Sequence, residues 1–256
     1  ETFLMSQEEK KQAIDIIVEE VNGRVPVIAH IGSIGTKITT ELGIYAEKVG
    51  VDALSALPPF YYGFTNDEIF NYYEDISNST NLPITVYNIS HAHLMDLDML
   101  KRLASIKNVK GVKYTAPTHF NFSKIKKEIG NSFKIYSGMD EMSLSGLISG
   151  ADGIIGSFYN LMPELFVDIY AKIKEENINE AKKIQEKINI IIMYALSKSG
   201  YPFIKMGLNW LDVDSGYVRK PFTTFVDKEI EHIIKKDLKK LTDQNDLSGI
   251  KFLENL

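Results

Sequence analysis

The sequence predicts an α/β protein in which short parallel strands alternate with helices. Three observations predict it. Short β-branched apolar runs alternate with segments of helical period, strand starts recur at roughly 20 to 30 residue intervals, and helix-start signals fall at the joints. The 256 residues carry 29 Lys+Arg against 34 Asp+Glu, a net charge of −5, and no cysteine. An apolar fraction of 44% and a charged fraction of 25% suit an ordinary globular chain with a sizeable core. Without cysteine there is no disulfide, thiolate nucleophile or Cys-ligated metal. The mild acidity argues against nucleic acid and anionic membranes as partners. No apolar run reaches about 18 residues and no secretory signal pattern is seen, so the expected compartment is cytoplasmic.

The elements follow in order. Ser6 and Glu9 have capping-box spacing, and Ile14, Ile17, Val18 and Val21 form the apolar stripe of a helix that Gly23 stops. Val25 to Ile31 reads as a strand. A helix carrying Leu42, Ala46 and Val49 ends near Gly50, and Val51 to Leu57 is the next strand, closed by Pro58 and Pro59. Thr65 and Glu68 cap a helix with Ile69, Tyr73 and Ile76 on one face. Then come strand Leu82 to Asn88, helix Asp98 to Ile106, strand Val109 to Thr115, and a short helix around Ile125. Strand Phe133 to Gly138, helix Met142 to Ile148 and strand Ala151 to Ser157 complete six βα units, and Pro163 suits the first turn of a helix to about Glu176. After Asn177 the strands stop. A long helix carries Ile178, Ala181, Ile184, Ile188, Ile191 and Ala195 up to Gly200, a second is expected over Tyr201 to Val213, and a charged third over Val226 to Leu241.

This alternation fits a doubly wound open sheet or a (β/α)8 barrel. No dinucleotide fingerprint follows the first strand, where His30-Ile-Gly-Ser-Ile-Gly35 has the wrong spacing, and no phosphate loop occurs.

Several residues could carry chemistry. Lys113 interrupts an apolar strand, and period-2 alternation places Val109, Gly111, Lys113 and Thr115 on one face. Near the strand's C-terminal end, a desolvated lysine can attack a carbonyl as a neutral amine; the plainer alternative is a snorkelling side chain. Tyr87 shares a face with Thr85 at the previous strand's end, as a proton-shuttling phenol or an amphipathic rim aromatic. In Ser137-Gly138-Met139-Asp140-Glu141, with Gly156-Ser157 beyond, two carboxylates could accept hydrogen bonds from sugar hydroxyls, or could open a helix. His91 and His93 form half a metal site without a third ligand at fixed spacing and read as a polar loop. His119 reads as a surface loop residue. Pro58-Pro-Phe-Tyr61-Tyr62 suits a subunit contact as well as a site.

Together these segments resemble the pyruvate-dependent class I aldolases of the N-acetylneuraminate lyase and dihydrodipicolinate synthase family. The resemblance rests on PPFYY (Pro58 to Tyr62), VYN (Val86 to Asn88), GVKYT (Gly111 to Thr115), GMDE (Gly138 to Glu141), ADGIIGSFYN (Ala151 to Asn160) and RKPF (Arg219 to Phe222), in that order. It covers Glu1 to about Thr224 and implies a (β/α)8 TIM barrel with a C-terminal helical extension, as a homotetramer. On that frame residues 1–160 are barrel, and 161–256 are its last helix and the extension. Glu1-Thr-Phe-Leu-Met-Ser resembles the stretch following the family's second strand, which implies that the first strands, with the Ser-Thr pair that binds the pyruvoyl carboxylate, lie outside this chain.

The resemblance makes Lys113 the Schiff-base lysine, Tyr87 the proton-shuttling phenol, and Tyr61 the aromatic that reaches a neighbouring subunit's site. Thr115 two residues after the lysine, with Gly138, Asp140, Glu141 and Ser157 as substrate-binding residues, is the pattern of the sialic acid lyases. No arginine follows Tyr87, as it does in the synthases, and Ser90 stands where the family has proline. The implied reaction is aldol cleavage of N-acetylneuraminate to N-acetylmannosamine and pyruvate, with no metal or organic cofactor, because the lysine is the electron sink. The alternatives are a synthase, a keto-deoxy sugar acid aldolase, or a non-catalytic truncated relative.

Overall fold

A computed structural model describes residues 1–224 and 227–256. Among them, six strands form one sheet: β1 (Ile28–His30), β2 (Ala53–Ala56), β3 (Ile84–Ile89), β4 (Val109–Thr115), β5 (Lys134–Ser137) and β6 (Gly153–Ile154). Every neighbouring pair is parallel and the spatial order is the chain order. A doubly wound sheet reverses its order at a switch point. This one does not, and six parallel strands in chain order are consistent with a partial TIM barrel. The helices are α1 (Gln7–Val21), α2 (Thr36–Val49), α3 (Asn66–Ser79), α4 (Leu97–Ala104), α5 (Phe120–Ile129), α6 (Ser143–Ile148), α7 (Pro163–Lys174), α8 (Ile178–Ser197), α9 (Tyr201–Asn209), α10 (Lys228–Asn245) and α11 (Lys251–Glu254). No described helix is long and apolar enough to cross a membrane.

The chain divides into two compact units. The sheet unit comprises Thr2–Gly138 and Ser149–Ile154; the helical unit comprises Glu1, Met139–Ile148 and Ile155–Leu256. In the sheet unit both expected capping boxes form, Ser6 with Glu9 at α1 and Thr65 with Glu68 at α3. Ile84, Val86, Val112, Tyr114 and Ile135 pack with Ile69, Tyr73, Leu103 and Phe122 in one core. Each such fully buried side chain contributes about 1.5–3 kcal/mol. Because Val112 and Tyr114 take the helix-covered face, alternation turns Lys113 and Thr115 to the opposite one.

One irregularity sets the register. Ile84 pairs with Val109, but Thr85 pairs with Gly111, so Lys110 is passed over in a bulge. From there Tyr87 pairs with Lys113 and Lys113 with Tyr136.

Several strands are shorter than their sequence suggests, β1 and β6 most of all. β1 begins at Ile28 rather than Val25, because Val25 is 60% exposed and Pro26 has no N–H to give the ladder. β6 ends at Ile154 rather than Ser157; beyond it, the Phe158 N–H turns to the Asp140 carboxylate at 2.7 Å. Of the predicted helix from Val226, that first residue lies outside the described residues, and α10 starts at Lys228.

In the helical unit, α7 and α8 bury Phe166, Ile169, Ile188 and Ile191, while Phe203, Trp210 and Phe252 pack ring on ring.

A repeated device locks two strands of the sheet unit. Asp52 and Asp152 each precede a strand and each close a reciprocal ring with a neighbour. The Asp52 carboxylate accepts the Val27 N–H at 2.7 Å, while its own N–H donates to the Val27 C=O at 2.9 Å. Asp152 does the same with Ile135, at 2.8 and 2.7 Å. Lys126 and Lys134 also bridge to the Asp152 carboxylate. Burial raises its pKa, but the hydrogen bonds from Lys126, Ile135 and Lys134 outweigh that and hold it below the ordinary value. A depressed carboxyl adds stability above its unfolded pKa that is lost as pH falls through the folded one. Asp152→Asn is expected to lower unfolding free energy by about 1–3 kcal/mol at neutral pH, and by less at pH 3, in urea titrations.

Candidate active site

The first cluster lies on the face of the sheet opposite the helix-covered core. Lys113, partly buried, places Nζ 4.1 Å from the centroid of the Tyr87 ring. His30 of β1 meets the same ring edge-on, at 6.1 Å and 85°, and Phe3 meets His30 at 6.2 Å and 88°. Burial, followed by the positive charges of Lys113 and Lys10, lowers the His30 pKa to about 4. Beside Lys113, the Thr115 hydroxyl is buried with no hydrogen-bond partner among the described residues. A polar atom so placed is costly unless something satisfies it. Gly138 makes room for both: a Cβ there would overlap the Thr115 hydroxyl and press on Lys113 Cε at 3.1 Å. Lys113, Tyr87, Thr115 and Gly138 thus form one group, to which His30 is added.

The loop after Tyr87 is pinned by the buried Asn88. Its Nδ2 donates to the Met95 C=O at 3.0 Å and its Oδ1 accepts the Met95 N–H at 2.8 Å. His91 and His93 lie exposed in the closed loop, and His93 has a positive φ of 70°. No group of three metal-ligating side chains occurs among the described residues. His119 differs from its expectation as a surface residue. It is 4% exposed and stacks on Phe122 at 4.8 Å and 28°, because the turn into α5 folds it onto the core.

The second cluster lies in the helical unit. Asp140, Glu141 and Ser157 line one cavity of about 520 Å³ with Ile192 and Leu196 of α8, Ser199, Tyr201, Ile204 and Phe222. Asp140 is buried and Glu141 exposed. The Asp140 carboxylate accepts the Phe158 N–H at 2.7 Å. A Cβ on Gly156 would overlap that carboxylate, so a side chain there would displace it. Two carboxylates and hydroxyls in such a cavity can accept hydrogen bonds, beside a wall that offers apolar contact. Tyr61 stands outside both clusters, 85% exposed at a positive φ of 80°, with its ring edge-on to Tyr62.

Residues 1–241 match the Dihydrodipicolinate synthetase family. The chain belongs to that family. Among solved structures it is similar to the N-acetylneuraminate lyase of Fusobacterium nucleatum, at 36% identity and a TM-score of 0.86, over 95% of this chain and 82% of that one. It is also similar to a catalytic lysine mutant of the Ruminococcus gnavus sialic acid aldolase, at 31% identity and a TM-score of 0.88, over 94% and 81%. The dihydrodipicolinate synthase from Aquifex aeolicus matches at 25% identity and a TM-score of 0.84, over 92% and 81%. As a member of the dihydrodipicolinate synthetase family, the chain has an aldolase fold, which supports a lyase.

Sequence reasoning missed His30 and the aromatic and apolar wall of the cavity, Tyr201, Phe222, Ile192 and Leu196. The signal for His30 was its place among apolar residues in a strand; the wall is assembled from distant segments. His30 has a testable signature. With its pKa depressed, the unfolded chain binds the proton first as pH falls, so stability drops between about pH 6.5 and 4. His30→Phe is expected to flatten that part of the pH–stability profile in urea titrations, with no such change above pH 7.

Proposed function

We propose that this chain cleaves N-acetylneuraminate to N-acetylmannosamine and pyruvate through a Schiff base on Lys113. The observation that carries the reading is the amine of Lys113 standing over the Tyr87 ring at 4.1 Å, on the sheet face opposite the helix-covered core. Similarity to a sialic acid aldolase that has a catalytic lysine supports it.

The chemistry follows from the side chains. Neutral Lys113 adds to the C2 ketone of the open-chain sugar acid, and loss of water gives an iminium. The iminium takes the electron pair as the C3–C4 bond breaks. Tyr87, with the substrate carboxylate, carries the C4 hydroxyl proton away, and N-acetylmannosamine leaves as the aldehyde. Protonation of the enamine at C3 and hydrolysis release pyruvate and restore the amine. Thr115 binds substrate beside the lysine, and Gly138 belongs with the residues that hold the hydroxylated tail. Asp140, Glu141 and Ser157 receive the hydroxylated tail. Tyr61, exposed and left-handed in φ, suits the role of a residue presented to a neighbouring subunit of a homotetramer.

The runner-up within the family is a synthase, favoured by the Aquifex aeolicus similarity. Against it, the segment Asn88 to Leu94 offers no arginine to grip a second carboxylate, whereas Asp140 and Glu141 would repel one.

Pyruvate release coupled to lactate dehydrogenase, with N-acetylneuraminate set against aspartate semialdehyde plus pyruvate, separates the two. Turnover of the sugar acid is expected. Lys113→Met should abolish it and should also abolish the mass increase from borohydride reduction with pyruvate. Tyr87→Phe should lower kcat by about 10²–10⁴-fold and still give the trapped adduct. An adduct on Lys113→Met, or full turnover by Tyr87→Phe, would remove that residue from the mechanism.

A further inference from the structure

Asp140 and Glu141 lie in a 3₁₀ turn, Asp140–Met142, that runs into α6. In a continuous α-helix the C=O of residue 140 would pair directly with the N–H of residue 144. Gln185 of α8 bridges those two groups. Its Oε1 accepts the Leu144 N–H at 2.9 Å, and its Nε2 donates to the Asp140 C=O at 3.2 Å. The same Nε2 donates to Asn189 Oδ1 at 2.8 Å, one turn further along α8. Gln185 is 7% exposed, on the face of α8 otherwise buried through Ala181, Ile188 and Ile191. A glutamine with acceptor and both amide protons spoken for is a rigid strut. Ser143 reinforces it by donating to the same Asp140 C=O at 2.9 Å.

We propose that Gln185 is a positioning residue for the sugar tail: its amide, inserted between Asp140 and Leu144, keeps the turn from winding into α6 and so holds both carboxylates at the cavity wall. Its role is on specificity and affinity, through Asp140 and Glu141, and not on imine chemistry. The inference rests on the sialic acid reading, in which those carboxylates receive the hydroxylated tail.

The test compares the wild-type chain with Gln185→Met, which keeps the volume and removes all three hydrogen bonds. Gln185→Glu keeps the acceptor for Leu144 and loses the donor to Asp140. Both are expected to raise KM for N-acetylneuraminate about tenfold, with kcat within about twofold. Borohydride trapping of pyruvate should match wild type, because pyruvate has no hydroxylated tail. An unchanged KM in folded Gln185→Met overturns the proposal. So does a parallel loss of pyruvate trapping, or failure of both variants to fold by circular dichroism, since each marks a general structural role. If the wild-type chain traps no pyruvate and cleaves no sugar acid, the Schiff-base reading fails first and takes this role with it. Normal wild-type activity with an unchanged variant KM refutes the role of Gln185 alone.

Discussion

Tyr87 lies beside Lys113 because β3 and β4 shift register once, between Ile84 and Thr85. With unbroken pairing from Ile84 and Val109, Tyr87 would fall beside Val112, whose side chain belongs to the helix-covered core. A slip of one residue exchanges the two faces of a strand, so the bulge decides whether a phenol and an amine meet at all. The remainder of the sheet unit is consistent with keeping that register. The reciprocal rings of Asp52 and Asp152 tie strand starts to their neighbours, and the packing of Val86, Val112 and Tyr114 resists any slip that would expose them.

Two glycines then make space beside the two clusters. At Gly138 the backbone passes close to Thr115 and Lys113; at Gly156 it passes close to the Asp140 carboxylate. Neither position has the left-handed φ that usually explains a glycine. The requirement is room, and it is felt in both units. The electrostatics complement this. On the sheet, burial and then the positive charges of Lys113 and Lys10 hold the His30 pKa below its ordinary value. In the helical unit, the Phe158 N–H supports the buried Asp140 carboxylate.

Much of the fold was legible because amphipathic periodicity and capping are local. Strand β4 and the starts of α1, α3, α7 and α8 fall where the pattern places them. The errors have physical causes as well. Val25 and Pro26 look like strand residues by composition, but proline cannot join a ladder. Ala151 to Ser157 looks like one strand, but only Gly153–Ile154 joins the sheet, and just past Ser157 the Phe158 N–H donates to Asp140. His119 reads as a surface loop residue; it does lie in a turn, but it is buried against Phe122. Gln185 was passed over because one polar residue on an apolar helix face does not announce a partner 41 positions away.

The sequence by itself determined the alternation of strands and helices, the face on which Lys113 and Thr115 lie, and the family to which the chain belongs. Those follow from periodicity and from residue types at fixed spacing, both of which are local. Only the tertiary structure decided that the strands run in chain order, that Tyr87 is the neighbour of Lys113, and that α8 supplies the amide behind Asp140. These depend on one skipped residue in a ladder and on groups far apart in the chain, where no periodicity reaches.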